Sequence, residues 1–596
     1  MATAAGVWAP FAAVFASFTL WLFRWVYTEA VTALPFNGGI YNVLLNTVRS
    51  KKVAGLVATL TILSYLATAV VSALSAASYM QTIIDDTRMH PMESGCYILP
   101  ISIFLIVFFA GLKLVGVSES AKVASVMFVI HLGTMLLLMI VTFLAVATPV
   151  KSIPFSAVGE NLRANFQYTG GTSKIANKIV LGFSNAMLGV SGFETSANFI
   201  EEQKEGVFPK TLRNMWYAVS TINIILIIEC VFATRLKDVA ENRDNALAFL
   251  GLTAAGRWLQ VWVSLDAFMI LAAAVLTSYV GVGGLAARMG GDRCLPCQFA
   301  SSHRLTTVIF MLICISLVLV LKGDSVELAA CYSFAFLSVM FLFAMSVLVL
   351  QMQRPKLPRD MKNNAFIPVL AGLLVLVALM GTLASSPSVL STFLAYLSTL
   401  ASLIGLYMYR LKVMKLFQKL LALCCLTRLE KKLGGLVDSI RQQSSVVYFS
   451  KNANICRLNK AIQYINQNED ANHVRVVHVY RDEYTVPQNL VLLCQLLDAM
   501  YPSLRIDLIF VKGSFGAPMI MRLSADWNVQ PNLMFITCPA SGEAGRRLQD
   551  LRGVRVIMGH EEEAALDALD DVEEADDQEA AMPRPAGLDV LAAAGH

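Results

Sequence analysis

The sequence predicts a polytopic α-helical membrane protein with an α/β doubly wound domain after its last span. Three observations predict this. Hydrophobic residues make up 56% of the 596 residues and charged residues 15%, at a mean hydropathy of +0.61; soluble domains run near ~25% charged. Eleven apolar stretches are each long enough for a bilayer core, which takes about 20 residues. Beyond the last stretch the pattern changes to alternating strand-like and helix-like runs.

The eleven stretches lie near residues 7–28, 53–80, 97–113, 123–147, 179–199, 214–234, 258–287, 305–321, 326–350, 365–384 and 388–409. The first is too long for the apolar core of a signal peptide, and Arg24 and Glu29 continue it. Lys and Arg favour the cytoplasmic side. The loops after the odd-numbered stretches carry Arg49, Lys51, Lys52, Lys113, Lys122, Lys204, Lys210, Arg213, Arg288, Arg293, Arg304, Arg354, Lys356, Arg359 and Lys362. The opposite loops carry fewer bases, mixed with Asp85, Asp86, Glu93, Asp238, Glu241 and Asp244. Odd-numbered loops are therefore expected in the cytosol, with the N-terminus outside and the C-terminal region inside.

Four regions follow: a transmembrane domain over 1–411, a basic amphipathic connector over 412–443, a cytosolic α/β domain over 444–558 and a tail over 559–596. In the connector, Lys412, Lys415, Lys419, Arg428, Lys431 and Lys432 alternate with Leu and Phe. Such a helix either lies on the anionic inner leaflet or packs on the next domain. Cys424 and Cys425 read as buried thiols or as acylation sites. Strands are expected at 446–450, 474–480, 506–511, 533–538 and 554–558, with helices at 454–466, 487–500, 515–527 and 541–551. Strand–helix alternation predicts a parallel sheet. The only candidate phosphate loop, Ser541-Gly542-Glu543-Ala544-Gly545, is sparse in glycine and acidic. From Glu561 onward twelve acids face a single base, Arg584, so the tail is expected to be disordered.

Composition excludes a secreted disulfide scaffold, since the 11 cysteines scatter along a long chain. Cys294 and Cys297 form a lone CxxC, too few ligands for zinc. No Ser/His/Asp or paired-carboxylate arrangement supports an enzyme. No cofactor, metal or nucleic acid is called for, and no N-x-[ST] sequon occurs.

Three segments carry functional signal. The first is Glu29, then Pro35, Gly38, Gly39 and Tyr41, where a helix ends in a carboxylate, a proline and paired glycines. The second runs from Gly182-Phe183 through Gly189, Ser191, Gly192, Phe193 and Glu194 to Glu201, Glu202 and Pro209. The third holds Thr277, Ser278, Gly281, Gly283, Gly284, Ala287 and Arg288, then Asp292 and Pro296. Gly189, Ser191 and Gly192 are poor helix residues, and a broken helix at membrane depth is tolerated where it lines protein or a cavity. Freed N–H groups there can hold a substrate carboxylate; the plainer reading is a small-residue packing face. Glu194 is an intramembrane carboxylate, which needs a partner or water. Thr277 and Ser278 either offer hydroxyls to an ion or bond back to their own helix. His131 in the fourth stretch either titrates as a movable charge or is a neutral, satisfied histidine. Tyr65, Ser72, Ser75 and Ser78 read equally as a pore-facing stripe or a helix contact.

Together the segments resemble the amino acid–polyamine–organocation permeases. That family's second helix typically ends E-L-x-x-x-x-P-x-x-G-G-x-Y; Glu29, Pro35, Gly38, Gly39 and Tyr41 fill those places. Its sixth helix has G-F-[ED] and, seven residues on, an acidic pair, matched by Gly192, Phe193, Glu194, Glu201 and Glu202. Its eighth ends in small residues before A-R-D-G-x-x-P, approximated by Ala287, Arg288, Asp292 and Pro296. The resemblance covers about residues 7–410. It implies an inverted-repeat transporter fold, with substrate at Gly189, Ser191, Gly192, Phe193 and Glu194 and Phe193 as a gating aromatic. It implies an ion-related site near Thr277 and Ser278, and it places a lysine near the position of His131 in many members. Structural motif roles fall to Glu29, Pro35, Gly38, Gly39, Glu201, Glu202 and Arg288. The family has twelve helices, and this chain starts at the match to the second, so the first is expected to be missing. The C-terminal domain resembles universal-stress-protein-like folds in its order of elements.

The leading expectation is a secondary transporter of amino acids or related amines in the plasma membrane or an endomembrane. Its expected partners are a small-molecule substrate, H+ or Na+, the lipid bilayer and a second copy in a homodimer. A cation–chloride cotransporter-like protein is the first alternative, and a non-transporting scaffold or sensor the second.

Overall fold

The computed structural model describes residues 1–48, 50–86, 97–116, 121–147, 155–168, 175–190, 192–198, 200–204, 206–355, 357, 359–423, 427–442, 445–482, 484, 486–502, 504–537, 551 and 553–557. The chain divides into two compact units, the first essentially Met1–Gln351 with Pro358–Leu433, the second built on Gly434–Arg546 with Met352–Leu357.

The first unit is helical. Among the described residues, ten helices are long and apolar enough to cross a membrane. Lipid offers no hydrogen bonds, so a crossing segment must satisfy its own backbone. Hydroxyls on these helices do likewise, as Thr28, Thr68 and Ser78 donate to carbonyls one turn back. Pro209 opens Phe208–Ala233, where a missing N–H costs nothing. Gly116, at φ +88°, closes Ile98–Val115.

The centre of the unit is the pair Lys51–Asp86 and Arg257–Gly291, packed along one another. Ala54, Ala58, Ala69, Ala73, Ala76 and Ala77 are wholly buried on the first. Small residues let helix backbones approach closely where lipid gives little hydrophobic drive.

The expected span at 179–199 is not one helix. It forms Ile175–Ala186, a tight turn over Met187–Val190 and a short helix, Phe193–Ala197. Between them Gly192 stands at φ +108°, a backbone region that side chains bearing a Cβ avoid. The Phe155–Tyr168 helix fastens the end of Phe208–Ala233: Asn165 Nδ2 donates to the carbonyls of Val231 (2.8 Å) and Thr234 (3.0 Å), otherwise orphaned at a helix terminus.

The second unit holds a five-stranded, all-parallel sheet of order β3-β2-β1-β4-β5, with β1 Ser445–Phe449, β2 His473–Tyr480, β3 Arg505–Lys512, β4 Met534–Ile536 and β5 Arg555–Val556. The helices Ile455–Asn468, Leu490–Met500 and Ala517–Trp527 connect β1 through β4. Val446, Val447, Val474, Val476, Val477 and Phe535 are wholly buried, as expected of strands covered on both faces. Asn454 caps Ile455–Asn468 by accepting from Cys456 and Arg457 N–H groups. Arg555 is buried, with Nη1 2.8 Å from Glu469 Oε1 and its guanidinium 4.7 Å above the Phe535 ring. Cys424, Cys425, the 541–545 loop, the tail and, but for Leu551, the fourth expected helix lie outside the described residues.

Candidate functional site

The first motif folds as a turn anchored at both ends. Glu29, wholly buried in Ala9–Ala33, accepts on Oε1 from Arg359 Nη1 (2.5 Å). Its Oε2 accepts from Gln351 Nε2 (2.8 Å) and the Asn363 N–H (3.1 Å). Asn363 Nδ2 donates to the Trp25 carbonyl at 2.9 Å. The helix then stops at Leu34 before Pro35, and Gly38 (φ +106°) and Gly39 (φ +48°) open Gly39–Thr47.

The second motif meets this turn. The Glu201 N–H donates to Asn37 Oδ1 at 3.0 Å. Asn198 Oδ1 lies so close to Gly39 that any Cβ there would collide with it. The pairing therefore requires glycine on two counts, conformation and space. Asn198 Nδ2 donates to the Glu194 carbonyl (3.1 Å) and to the Tyr65 hydroxyl (2.5 Å). Tyr65 packs its ring on Gly281 of Arg257–Gly291. Paired glycines, the break and Gly281 thus converge on Asn198 and Tyr65.

At the break itself, Phe193 is 1% exposed and Glu194 is buried. Glu194 Oε2, Asn198 Oδ1 and the Tyr27 hydroxyl are buried without a hydrogen-bond partner among the described residues. Tyr27 and Tyr65 lie within electrostatic reach of Glu194. Gly189 faces a cavity of about 200 Å³, which Ser17, Asn185 and Asn223 also line. A Cβ at Gly189 or Gly192 would meet nothing within 4 Å. Ser191 and the Glu202 side chain lie outside the described residues.

His131 does not stand alone. Its Nδ1 lies 2.8 Å from Asp266 Oδ2, across from Ala121–Ala147 to Arg257–Gly291, with the two side chains 29% and 6% exposed. Nearby, Trp262 Nε1 donates to Thr134 Oγ1 at 3.1 Å. His131 lines a cavity of about 470 Å³ with Phe128, Leu132, Met135 and Asn223. Val219, Asn223 and Ile227 line both this cavity and the one at Gly189, so the break and the histidine share a wall. Thr277 and Ser278 donate to the carbonyls of Ala273 and Ala274, each at 3.0 Å.

The third motif closes the helix end. Asp292 is wholly buried. It accepts from the Tyr41 hydroxyl at 2.8 Å and lies 4.0 Å from Arg288 Nε. Arg288 sits 5.7 Å from the Phe36 ring centroid. Burial first, then the Asp292 charge beside it, holds the Tyr41 phenol well above its ordinary range. The phenol therefore stays protonated and donates. Cys294 is buried 3.4 Å from that hydroxyl, whereas Cys297 is exposed.

Sequence reasoning missed Asp266, Asn198, Asn223, Arg359, Gln351 and Asn363. An intramembrane Asp266 is a signal in itself; the amides carry none, since their role depends on which helix faces them.

We expect Gly281→Ala to destabilise the unit by about 1–3 kcal/mol through overpacking against Tyr65. Thermal unfolding of the purified protein should show the loss, with Gly281→Ala/Tyr65→Leu recovering part of it. Additive losses in the double variant would reject this contact as the cause.

A model of the amino acid permease family matches residues 1–407. A search of curated proteins finds no match. The match spans well over half of the chain, so the chain belongs to the amino acid permease family and is an integral membrane protein.

Proposed function

We propose that this amino acid permease carries amino acids or related organic amines by alternating access, with substrate held at the Met187–Glu194 break. One observation carries the reading: an apolar stretch of spanning length is interrupted at Gly192, beside a cavity that Gly189 faces. N–H groups freed at such a break suit a substrate carboxylate. The buried Glu194 carboxylate suits an amine, because a lone charge at this depth needs a counter-charge. Phe193, at the start of the short helix, is the gate in this reading. Rigid-body motion of helices around the break exposes the site to either side in turn.

In the same reading the coupling ion is a proton, held by His131 and Asp266. A histidine and a carboxylate 2.8 Å apart can share one, and imidazole is a poor ligand for a hard cation such as sodium. Thr277 and Ser278, hydrogen-bonded within their own helix, then serve as helix structure rather than as ion ligands.

The test is uptake of a labelled amino-acid and amine panel into vesicles holding the purified protein. We expect saturable uptake of at least one member, driven by an inward proton gradient and indifferent to sodium. One-to-one coupling accumulates substrate up to about tenfold per pH unit, the equivalent of ~1.4 kcal/mol. His131→Gln and Asp266→Asn should keep substrate exchange at equal pH and lose the gradient response. Rubidium uptake that needs chloride would identify an ion cotransporter instead. Absence of uptake for every compound would favour a scaffold or sensor.

A further inference from the structure

We propose that the Arg410–Leu423 helix lies flat in the headgroup layer of an anionic leaflet, as a lipid-reading element directly behind the last membrane helix. Chain continuity places it there. Val389–Met408 is a membrane-length helix, and Arg410 starts the next helix after a single residue, Tyr409. The junction bears the marks of a membrane surface. Lys52 Nζ and Lys412 Nζ lie 4.8 and 5.7 Å from the Tyr409 ring centroid, and the Arg410 guanidinium lies 4.3 Å from that of Tyr407. Aromatic rings with cations beside them are typical of headgroup level. The start of Lys51–Asp86 lies at the same level, since a Cβ on Gly55 would come within 2.7 Å of Met408 Sδ.

The helix itself is built for that layer. At 14 residues it is about 21 Å long, too short and too basic to cross. Lys412, Lys415 and Lys419 recur at spacings of three and four, so they share one face. Leu416, Leu420 and Leu423 form the adjoining stripe, flanked by Phe417, and are 59%, 48%, 80% and 56% exposed in that order. Leu411, on the opposite side, is buried. An apolar stripe edged by lysines is the shape of an interfacial helix, with leucines toward acyl chains and ammonium groups toward phosphates. The occupant is the anionic surface of the protein's own bilayer, chosen by the positive charge and by the adjoining membrane helix.

The experiment is hydrogen–deuterium exchange of the full chain in nanodiscs of phosphatidylcholine alone or mixed with phosphatidylserine. Three lysines near an anionic surface should slow exchange across Arg410–Leu423 on the order of 100-fold in the mixed discs. About 1 M salt should abolish the difference, because the screening length falls to about 3 Å. Lys412→Gln/Lys415→Gln/Lys419→Gln should remove the lipid dependence, and Leu416→Asn/Leu420→Asn should lower protection in both discs. Equal, salt-insensitive protection in both discs would overturn the proposal in favour of packing on protein. Equal protection from inorganic phosphate added to neutral discs would overturn it in favour of a discrete anion site.

Discussion

Gly189→Leu is expected to abolish substrate binding and uptake while leaving folded yield near that of the parent. Gly189 faces a cavity of about 200 Å³, and a Cβ there meets no atom within 4 Å. The new side chain therefore fills the cavity of the proposed substrate site without displacing protein. Gly192→Leu should also abolish binding, but by another route. At φ +108° a Cβ brings backbone strain of about 1–3 kcal/mol, so part of that loss will appear as lowered stability. Gly405→Leu is the control, since Gly405 also has open space around its Cβ and lies in Val389–Met408, away from the break. Labelled-substrate binding to purified protein separates the three. Parental affinity in Gly189→Leu would move the site away from the break.

The largest expected effect on stability falls at Glu29. Its carboxylate accepts from three donors at once: Arg359, Gln351 and the Asn363 N–H. Glu29→Gln keeps the shape but turns an NH2 toward those donors and takes the carboxylate charge away from the buried Arg359 guanidinium. Breaking a buried pair from one side costs about 3–5 kcal/mol. Glu29→Met/Arg359→Met should recover part of this, because the two charges leave together, while Gln351 Nε2 and the Asn363 N–H still lose an acceptor. Chemical unfolding of the parent and the two variants in detergent tests the account. A single variant as stable as the parent would mean that the pair contributes nothing.

The two predictions differ in how far the sequence anticipates them. The break behind the Gly189 test was legible in the run Gly189-Val-Ser-Gly192 inside an apolar stretch, but the cavity that Gly189 faces was not. The Glu29 test needed the fold. The sequence marks Glu29 as a motif residue, yet Arg359 lies 330 positions away, and nothing local ties the two. His131 behaves similarly. It was legible as an intramembrane histidine, but its partner, Asp266, comes from a helix 135 positions on. Asn198 carried no signal, although it joins the paired glycines, Tyr65 and the break.

Membrane class, the apolar helices, the helix break and the strands of the parallel sheet were all legible in the chain's local pattern. Each of these is encoded locally, in runs of apolar residues, in glycines that cannot hold a helix and in β-branched stretches between turn residues. Tertiary structure alone decided what each buried polar group faces. Helix-to-helix pairing is set by side-chain packing between segments far apart in the chain, and a carboxylate, an amide or a glycine acquires its role only from the surface brought against it.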